Sequence, residues 1–305
     1  MMNIYVGRIT IWMALVVLLI SGSAAFAGTA TWASFNDVLV STAGESNKQI
    51  EGHLAVRDTN DNHLAAGLMD NGPGGGASDP FRCRAYSSSD GGQSWSDRNF
   101  LPLNADTPVS NDPVVTSDAS GNFFIVCLAT DTNIPHQVSD ISYWFSSNGG
   151  ISWSGPNTVV HDTGTQVFND KPWIAADTKD SGSPYEGNVY VCWTEFDRTP
   201  TPDTNKIFFK KIWPSSGTIR WIATGNTGTA DPGTGEVQFC QVAVGQSGII
   251  YVTYQRLSSD TSARIQLKRS FDGGNTFESP AQLIKTFTRF PESDGFCGPP
   301  YTTKL

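Results

Sequence analysis

The sequence predicts an all-β chain, a β-propeller of four-stranded antiparallel blades. Three observations predict it. The stretches SSSDGGQSWS (87–96), FSSNGGISWS (145–154) and RSFDGGNTFES (269–279) are near copies of one turn. Their polar pivots Asp90, Asn148 and Asp272 lie 58 and then 124 residues apart, close to one period and two. The longer gap holds a degenerate copy, IFFKKIWPSSGTIRW (207–221), in which a Ser-Ser-Gly turn separates two apolar runs.

A second series alternates with these turns. It reads QIEGHLAVRDTNDNHLAAGL (49–68), SNDPVVTSDASGNFFIVCL (110–128), FNDKPWIAADTKDSGSPYEGNVYVCW (168–193) and VQFCQVAVGQSGIIYVTYQ (237–255). Each member is an apolar strand, an Asp/Gly-rich reversal and a second apolar strand. The repeating unit is therefore strand A, turn, strand B, longer loop, strand C, Ser-Asp-Gly turn, strand D. Stacked blades bury both faces of each sheet, which accounts for strands that are apolar without alternation. Within the turn, Asp90 or Asn148 is placed to accept N–H bonds from its own loop. Gly92, Gly150 and Gly274 tolerate a positive φ. Trp95, Trp153 and Phe277 open the next strand. Calcium is the rival reading of these turns, but each offers one carboxylate where a hard cation takes several oxygens. No metal site is assigned.

The ends carry further expectations. Arg8, the apolar run Ile9–Ile20 and the small-x-small Ala25-Phe26-Ala27 form the pattern of a signal peptide cut after Ala27. Residues 28–305 are then one propeller domain, secreted or periplasmic, with no membrane partner after cleavage. The segment WASFNDVLVSTAG (32–44) resembles a strand D and is expected to complete a last blade with residues 292–305. A net charge of −9, with few and scattered basic residues, excludes a nucleic-acid partner. Cys83, Cys127, Cys192, Cys240 and Cys297 form no Cys-x-x-Cys pair, so neither a zinc knuckle nor a redox motif is implied. Export permits disulfides, and small buried hydrophobes in strands fit equally well.

The pattern Ser-x-Asp-x-Gly-x-Thr/Ser-Trp/Phe at Ser88–Trp95, Ser270–Phe277 and, with Asn for Asp, Ser146–Trp153 resembles the Asp-box or BNR repeat of the sialidase superfamily. The resemblance spans roughly residues 49–279. It implies that the turns are scaffold, joining strands C and D away from the substrate. It also implies a ring of commonly six blades, so the chain reads as an incomplete ring, prone to self-association. A four- or five-bladed protein with a reduced last unit is the alternative. A sialidase of this family would clamp a sugar carboxylate with three arginines and add a Tyr–Glu pair and an Asp acid/base. The Phe-Arg-Ile-Pro signature of the first arginine is absent. Phe81-Arg82-Cys83-Arg84 matches it only superficially, because it leads straight into a turn.

Ligand-facing loops in propellers are those entering strand A and those joining B to C. The first set offers Glu51, His53, Asn111, Asp112, Asn169, Asp170, Lys171 and Gln238. The second offers Asp70, Arg82, Arg84, Asp131, His136, Glu195, Asp197, Arg198, Arg256 and Arg264. The repeated Asn-Asp before strand A points to Asp112, Asp170 and Lys171 as ligand-binding, with Arg82 and Arg256 from the second set. Asp and Asn also cap loop backbones, which is the structural alternative for each. No phosphate loop, dinucleotide fingerprint or nucleophile elbow appears, and no cofactor is implied. With the scaffold strong and the clamp missing, the expected function is a non-catalytic propeller binding a glycan or a surface protein. The alternative is an exo-acting glycoside hydrolase, an exo-alpha-sialidase or relative.

Overall fold

The computed structural model describes residues 38–41, 49–72, 80–178, 182–199, 204–226, 235–259 and 262–288. All lie in the compact unit Val38–Leu305. The leader pattern, residues 292–305, Cys297 and most of segment 32–44 fall outside the described residues. Of that segment only residues 38–41 are described, and they are not in a strand.

Sixteen strands form four sheets of four, each in sequence order and antiparallel. Blade 1 is β1 (Gln49–Arg57), β2 (Asn60–Asp70), β3 (Arg82–Ser88) and β4 (Ser96–Phe100). Blade 2 is β5 (Val109–Ser117), β6 (Phe123–Thr130), β7 (Val138–Ser146) and β8 (Ser154–Thr163). Blade 3 is β9 (Val167–Ala176), β10 (Val189–Asp197), β11 (Thr204–Trp213) and β12 (Arg220–Asn226). Blade 4 is β13 (Val237–Val244), β14 (Ile250–Ser259), β15 (Ser262–Ser270) and β16 (Gln282–Thr288). The four repeats read from sequence are these four blades.

Burial explains the uninterrupted apolar strands. In β6, Phe123, Ile125 and Cys127 pack toward blade 1, and Phe124, Val126 and Leu128 pack toward blade 3. In β10, Val189, Val191 and Trp193 face blade 2, while Tyr190 and Cys192 face blade 4. A strand sandwiched between two sheets has no solvent side, so its two-residue alternation decides only which core each side chain joins. Cys83 of blade 1 is bonded to Cys127 of blade 2, and Cys192 of blade 3 to Cys240 of blade 4. Both disulfides staple neighbouring blades. The ring is open: β1 leaves Leu54 and Val56 exposed, and blade 4 exposes Phe239, Leu283 and Ile284.

The three Ser-Asp-Gly turns join strands C and D and close on themselves. Ser88 Oγ bonds Asp90 Oδ1 at 2.7 Å and accepts the Gly92 N–H at 2.9 Å, while Asp90 Oδ1 accepts the Ser94 N–H at 2.9 Å. Ser146, Asn148, Gly150 and Ser152 repeat the set, as do Ser270, Asp272, Gly274 and Thr276. Gly92, Gly150 and Gly274 have φ of 87°, 81° and 88°, where a side chain would be strained. The polar oxygens are taken by the turn itself. Among the described residues no group of three or more His, Cys, Asp or Glu is arranged to hold a metal ion. Nor is any described helix long and apolar enough to cross a membrane.

Candidate functional site

The innermost strand of every blade breaks its ladder at the same place. Pairing skips between Ile50 and His53 in β1 and between Asn111 and Val114 in β5. It skips opposite Asp170 and Trp173 in β9 and between Gln238 and Gln241 in β13. One residue at each break has a left-handed backbone: Glu51 (φ 54°), Asp112 (55°), Lys171 (45°) and Phe239 (56°). A non-glycine residue there costs about 1–2 kcal/mol. Four such residues at equivalent positions are a built feature, since strain of this kind persists only where the surroundings enforce it. The bulges bring the four side chains into one axial cavity of about 310 Å³, with His53 and Trp173 in its wall.

The chemistry of that quartet is asymmetric. The Lys171 ammonium lies 3.2 and 3.1 Å from the two carboxylate oxygens of Glu51 and also bonds Asp112. Asp112 is mostly covered, whereas the Glu51 side chain is 42% exposed. Burial, then the hydrogen bond with Glu51, pushes the Asp112 carboxyl up to about 7, against the pull of Lys171. The same hydrogen bond holds Glu51 below its ordinary value, with burial opposing and Lys171 assisting. Burial would lower the Lys171 ammonium, but Asp112 and Glu51 outweigh it and the pKa rises. Below about pH 7, then, Asp112 holds a proton beside the lowered Glu51 carboxyl. Two carboxyls whose proton affinities are driven apart are the usual basis of an acid and a base in one site.

The wall supports them. Asp170 accepts the Lys171 N–H at 2.9 Å and a bond from Gln238 Nε2 at 3.1 Å, tying blade 3 to blade 4. Burial raises its carboxyl, with Lys171 opposing. His53 accepts the Val115 N–H through Nδ1 at 3.1 Å and meets Trp173 edge-on at 5.4 Å. Burial lowers its pKa, and a ring that accepts through Nδ1 carries its proton on Nε2.

Of the five residues singled out from sequence as ligand-binding, the structure brings Asp112, Asp170 and Lys171 together at the axis. Arg82 and Arg256 lie elsewhere. Arg82 sits over the Phe100 ring at 4.1 Å. Arg256 is buried and donates to Gln266 Oε1, Gly235 O and Thr224 O at 2.8–3.1 Å. Arg84 joins the buried Asp70 and Asp97. Asn169 is fully buried and spends its amide on Ser139, Asp162 and Trp193. Phe239 and Trp173 were not recognised from sequence. The alignable tetrapeptides IEGH, NDPV, DKPW and QFCQ contain the signal, since Phe239 falls on the column of Glu51, Asp112 and Lys171.

No protein-family model matches the chain, and no curated protein sequence matches it. The likeness that exists is to solved structures. An α-L-arabinanase of Penicillium chrysogenum, in complex with arabinobiose, matches with a TM-score of 0.57 and 14% identity, over 77% of this chain and 66% of that one. A GH93 α-L-arabinofuranosidase of Fusarium graminearum, also with arabinobiose, matches with a TM-score of 0.56 and 11% identity, over 79% and 68%. A Dyadobacter fermentans protein of unknown function matches with a TM-score of 0.54 and 15% identity, over 79% and 70%. The chain thus spans about two thirds of the length of the structures it matches, and at these identities the likeness is one of fold.

Two expectations are corrected here. The resemblance to the sialidase superfamily, with its BNR and Asp-box labels, gives way to a fold likeness with an α-L-arabinanase and an α-L-arabinofuranosidase. The physical reason is that the Ser-Asp-Gly turn satisfies itself, so any strand C to D reversal can use it, and it marks no family. The second correction concerns the non-catalytic binding module. The α-L-arabinanase and the α-L-arabinofuranosidase among the matched structures are enzymes, and the axial cavity holds one carboxyl raised to about 7 beside one held below its ordinary value.

Proposed function

We propose that the chain is an exo-acting glycoside hydrolase working at the axial cavity on a neutral, arabinose-type glycan. The observation that carries this is the pair Glu51 and Asp112 on one ammonium, the first carboxyl held below its ordinary value and the second raised to about 7. Asp112 is the acid that protonates the departing glycosidic oxygen. Glu51 is the carboxylate that meets the sugar carbon as the bond breaks. The two carboxyls touch each other and one ammonium, so a sugar bound between them must part them, and the roughly 5–5.5 Å spacing of retaining enzymes is reached before the roughly 6.5–9.5 Å of inverting ones. Glu51 forms a glycosyl ester, and water then attacks the sugar carbon, giving its proton to Asp112 and releasing Glu51. The hydrogen bond from Asp112, assisted by Lys171, keeps Glu51 ionised; Lys171 orients both groups, and Phe239 offers an apolar face for a ring.

The absence of any arginine from the described residues lining the cavity argues for a neutral sugar. A cavity of about 310 Å³ takes the end of a chain rather than a length of it. The leader pattern ending at Ala27 and the two disulfides support export, since such bonds persist in oxidising compartments. Incubation of the purified protein with arabinan and arabino-oligosaccharides, followed by chromatography of the products, tests the reading. Release of short saccharides, lost in Glu51→Gln and Asp112→Asn, is expected. No release, or release indifferent to both changes, rules it out.

A further inference from the structure

A second groove lies away from the axis, where the outer strand of blade 3 meets blade 4. Trp221 of β12 is 64% exposed, although its neighbours Ile222 and Ala223 are buried in the core between these blades. A bulge opposite Ile207 and Phe208 sets Trp221 apart from them. A lone exposed tryptophan would be unremarked on a protein surface. This one lines two adjoining cavities, of about 260 and 340 Å³.

The charge around it is the opposite of the chain's. The protein has 29 acidic and 20 basic residues. Among the described residues the lining of the two cavities nevertheless includes Arg220 and Lys268, with the hydrogen-bonded Arg256 behind them, and no Asp or Glu. The nearest turn carboxylate, that of Asp272, is occupied by Ser270 and Thr276. Among the described residues no carboxylate pairs with Lys268, whose ammonium is pulled down by burial and then by Arg256. Arg220 and Lys268, neither paired with a carboxylate among the described residues, stand beside a flat indole and fit a ligand with a ring face and an anionic group.

We propose that this groove is a non-catalytic binding site for a uronate-bearing glycan, with the Trp221 indole stacked on a sugar ring and Lys268 and Arg220 holding its carboxylate. The occupant is a sugar chain rather than a polynucleotide. The groove presents one aromatic platform instead of a series, and the surrounding protein is acidic.

Affinity electrophoresis of the full chain in gels containing polygalacturonate tests this, with neutral arabinan and single-stranded polynucleotide as parallel gels. Retardation by polygalacturonate that weakens with salt is expected. Trp221→Ala and Lys268→Gln should each weaken it about tenfold, Trp221→Phe should restore part of it, and Asp112→Asn should leave it intact. If Trp221→Ala does not fold, Lys268→Gln and Arg220→Gln decide the matter. Absence of retardation, retardation equal in all variants, or equal retardation by polynucleotide overturns the proposal. Because Asp112→Asn is carried through both assays, failure of this site is distinguishable from failure of the axial one.

Discussion

The strand C to D turns and the axial bulges are both repeated features, and they repeat different things. The turns repeat residues: a hydroxyl, a carboxylate or amide, two glycines and a second hydroxyl, with the same bonds each time. The bulges repeat a backbone shape and vary everything attached to it, from Glu51 and Asp112 through Lys171 to Phe239. A turn whose purpose is its own closure tolerates few substitutes, because each polar atom is partnered inside the loop. A bulge whose purpose is to aim a side chain leaves the side chain free to differ. Repetition of sequence therefore marks scaffold here, and repetition of strain with divergent chemistry marks the candidate site.

The largest expected effect breaks the axis and spares the rim. Asp112→Asn should reduce turnover of an arabino-oligosaccharide by about 10²–10⁴, the scale of general acid catalysis, with little change in thermal stability. The pH profile sharpens it. The Asp112 carboxyl sits at about 7, so its proton is present below that pH. Activity dependent on it should fall as pH rises through 7, and the Asn variant should lose that limb. A profile flat from pH 5 to 8 would remove Asp112 from the acid's role.

The next change breaks the rim and spares the axis. Asp272→Ala removes the acceptor of the Thr276 N–H and hydroxyl bonds, at 2.8 and 2.6 Å. It should cost about 1 kcal/mol by analogy with loss of a helix cap, read by chemical denaturation, with turnover per folded molecule unchanged. The turns also predict a direction with acid. The Ser94 side chain and N–H, then Ser88, hold Asp90 down at about 2. A carboxyl lowered on folding contributes stability above its unfolded value near 4, and that contribution fades as pH falls toward 2. A stability profile without an acid limb in this window would argue against it.

Phe239→Ala separates binding from chemistry at the axis. The side chain lines the cavity and is half exposed, so KM should rise about tenfold, the worth of a lost stacking face, with kcat nearly unchanged. An equal fall in kcat would place Phe239 closer to the reacting atoms. The smallest effect tests the strain itself. Glu51→Gly should raise stability by up to about 1 kcal/mol, because glycine adopts the left-handed backbone freely, while turnover is lost. A stability loss would mean that Lys171 gains more from Glu51 than the backbone gives up.

How much of this could be read from the chain varies with the residue. The blade count among the described residues, the turn at Ser88–Ser94 and the apolar run Phe123–Leu128 follow from local chemistry, because the turn's bonds and the run of apolar residues are local. Asp112 and Asp170 were visible as a repeated Asn-Asp before strand A, with Lys171 next in the chain, though backbone capping fitted that repeat better until the contacts were known; the structure instead sets Lys171, not Asp170, on the column of Asp112. Phe239 was hidden because an apolar residue in a strand reads as core. Trp221 was hidden for the same reason, as the end of a degenerate repeat.

The amino-acid sequence by itself determined the repeat, the antiparallel blades and the self-closing turns, since each depends on residues near one another in the chain. Tertiary structure alone decided which bulged residues meet. Glu51, Asp112 and Lys171 are 59 and more residues apart, and their proton affinities depend on a burial and a shared ammonium that exist only when three blades converge. It also decided that Cys83 joins Cys127 and Cys192 joins Cys240, because pairing depends on distance across neighbouring sheets and not on spacing along the chain.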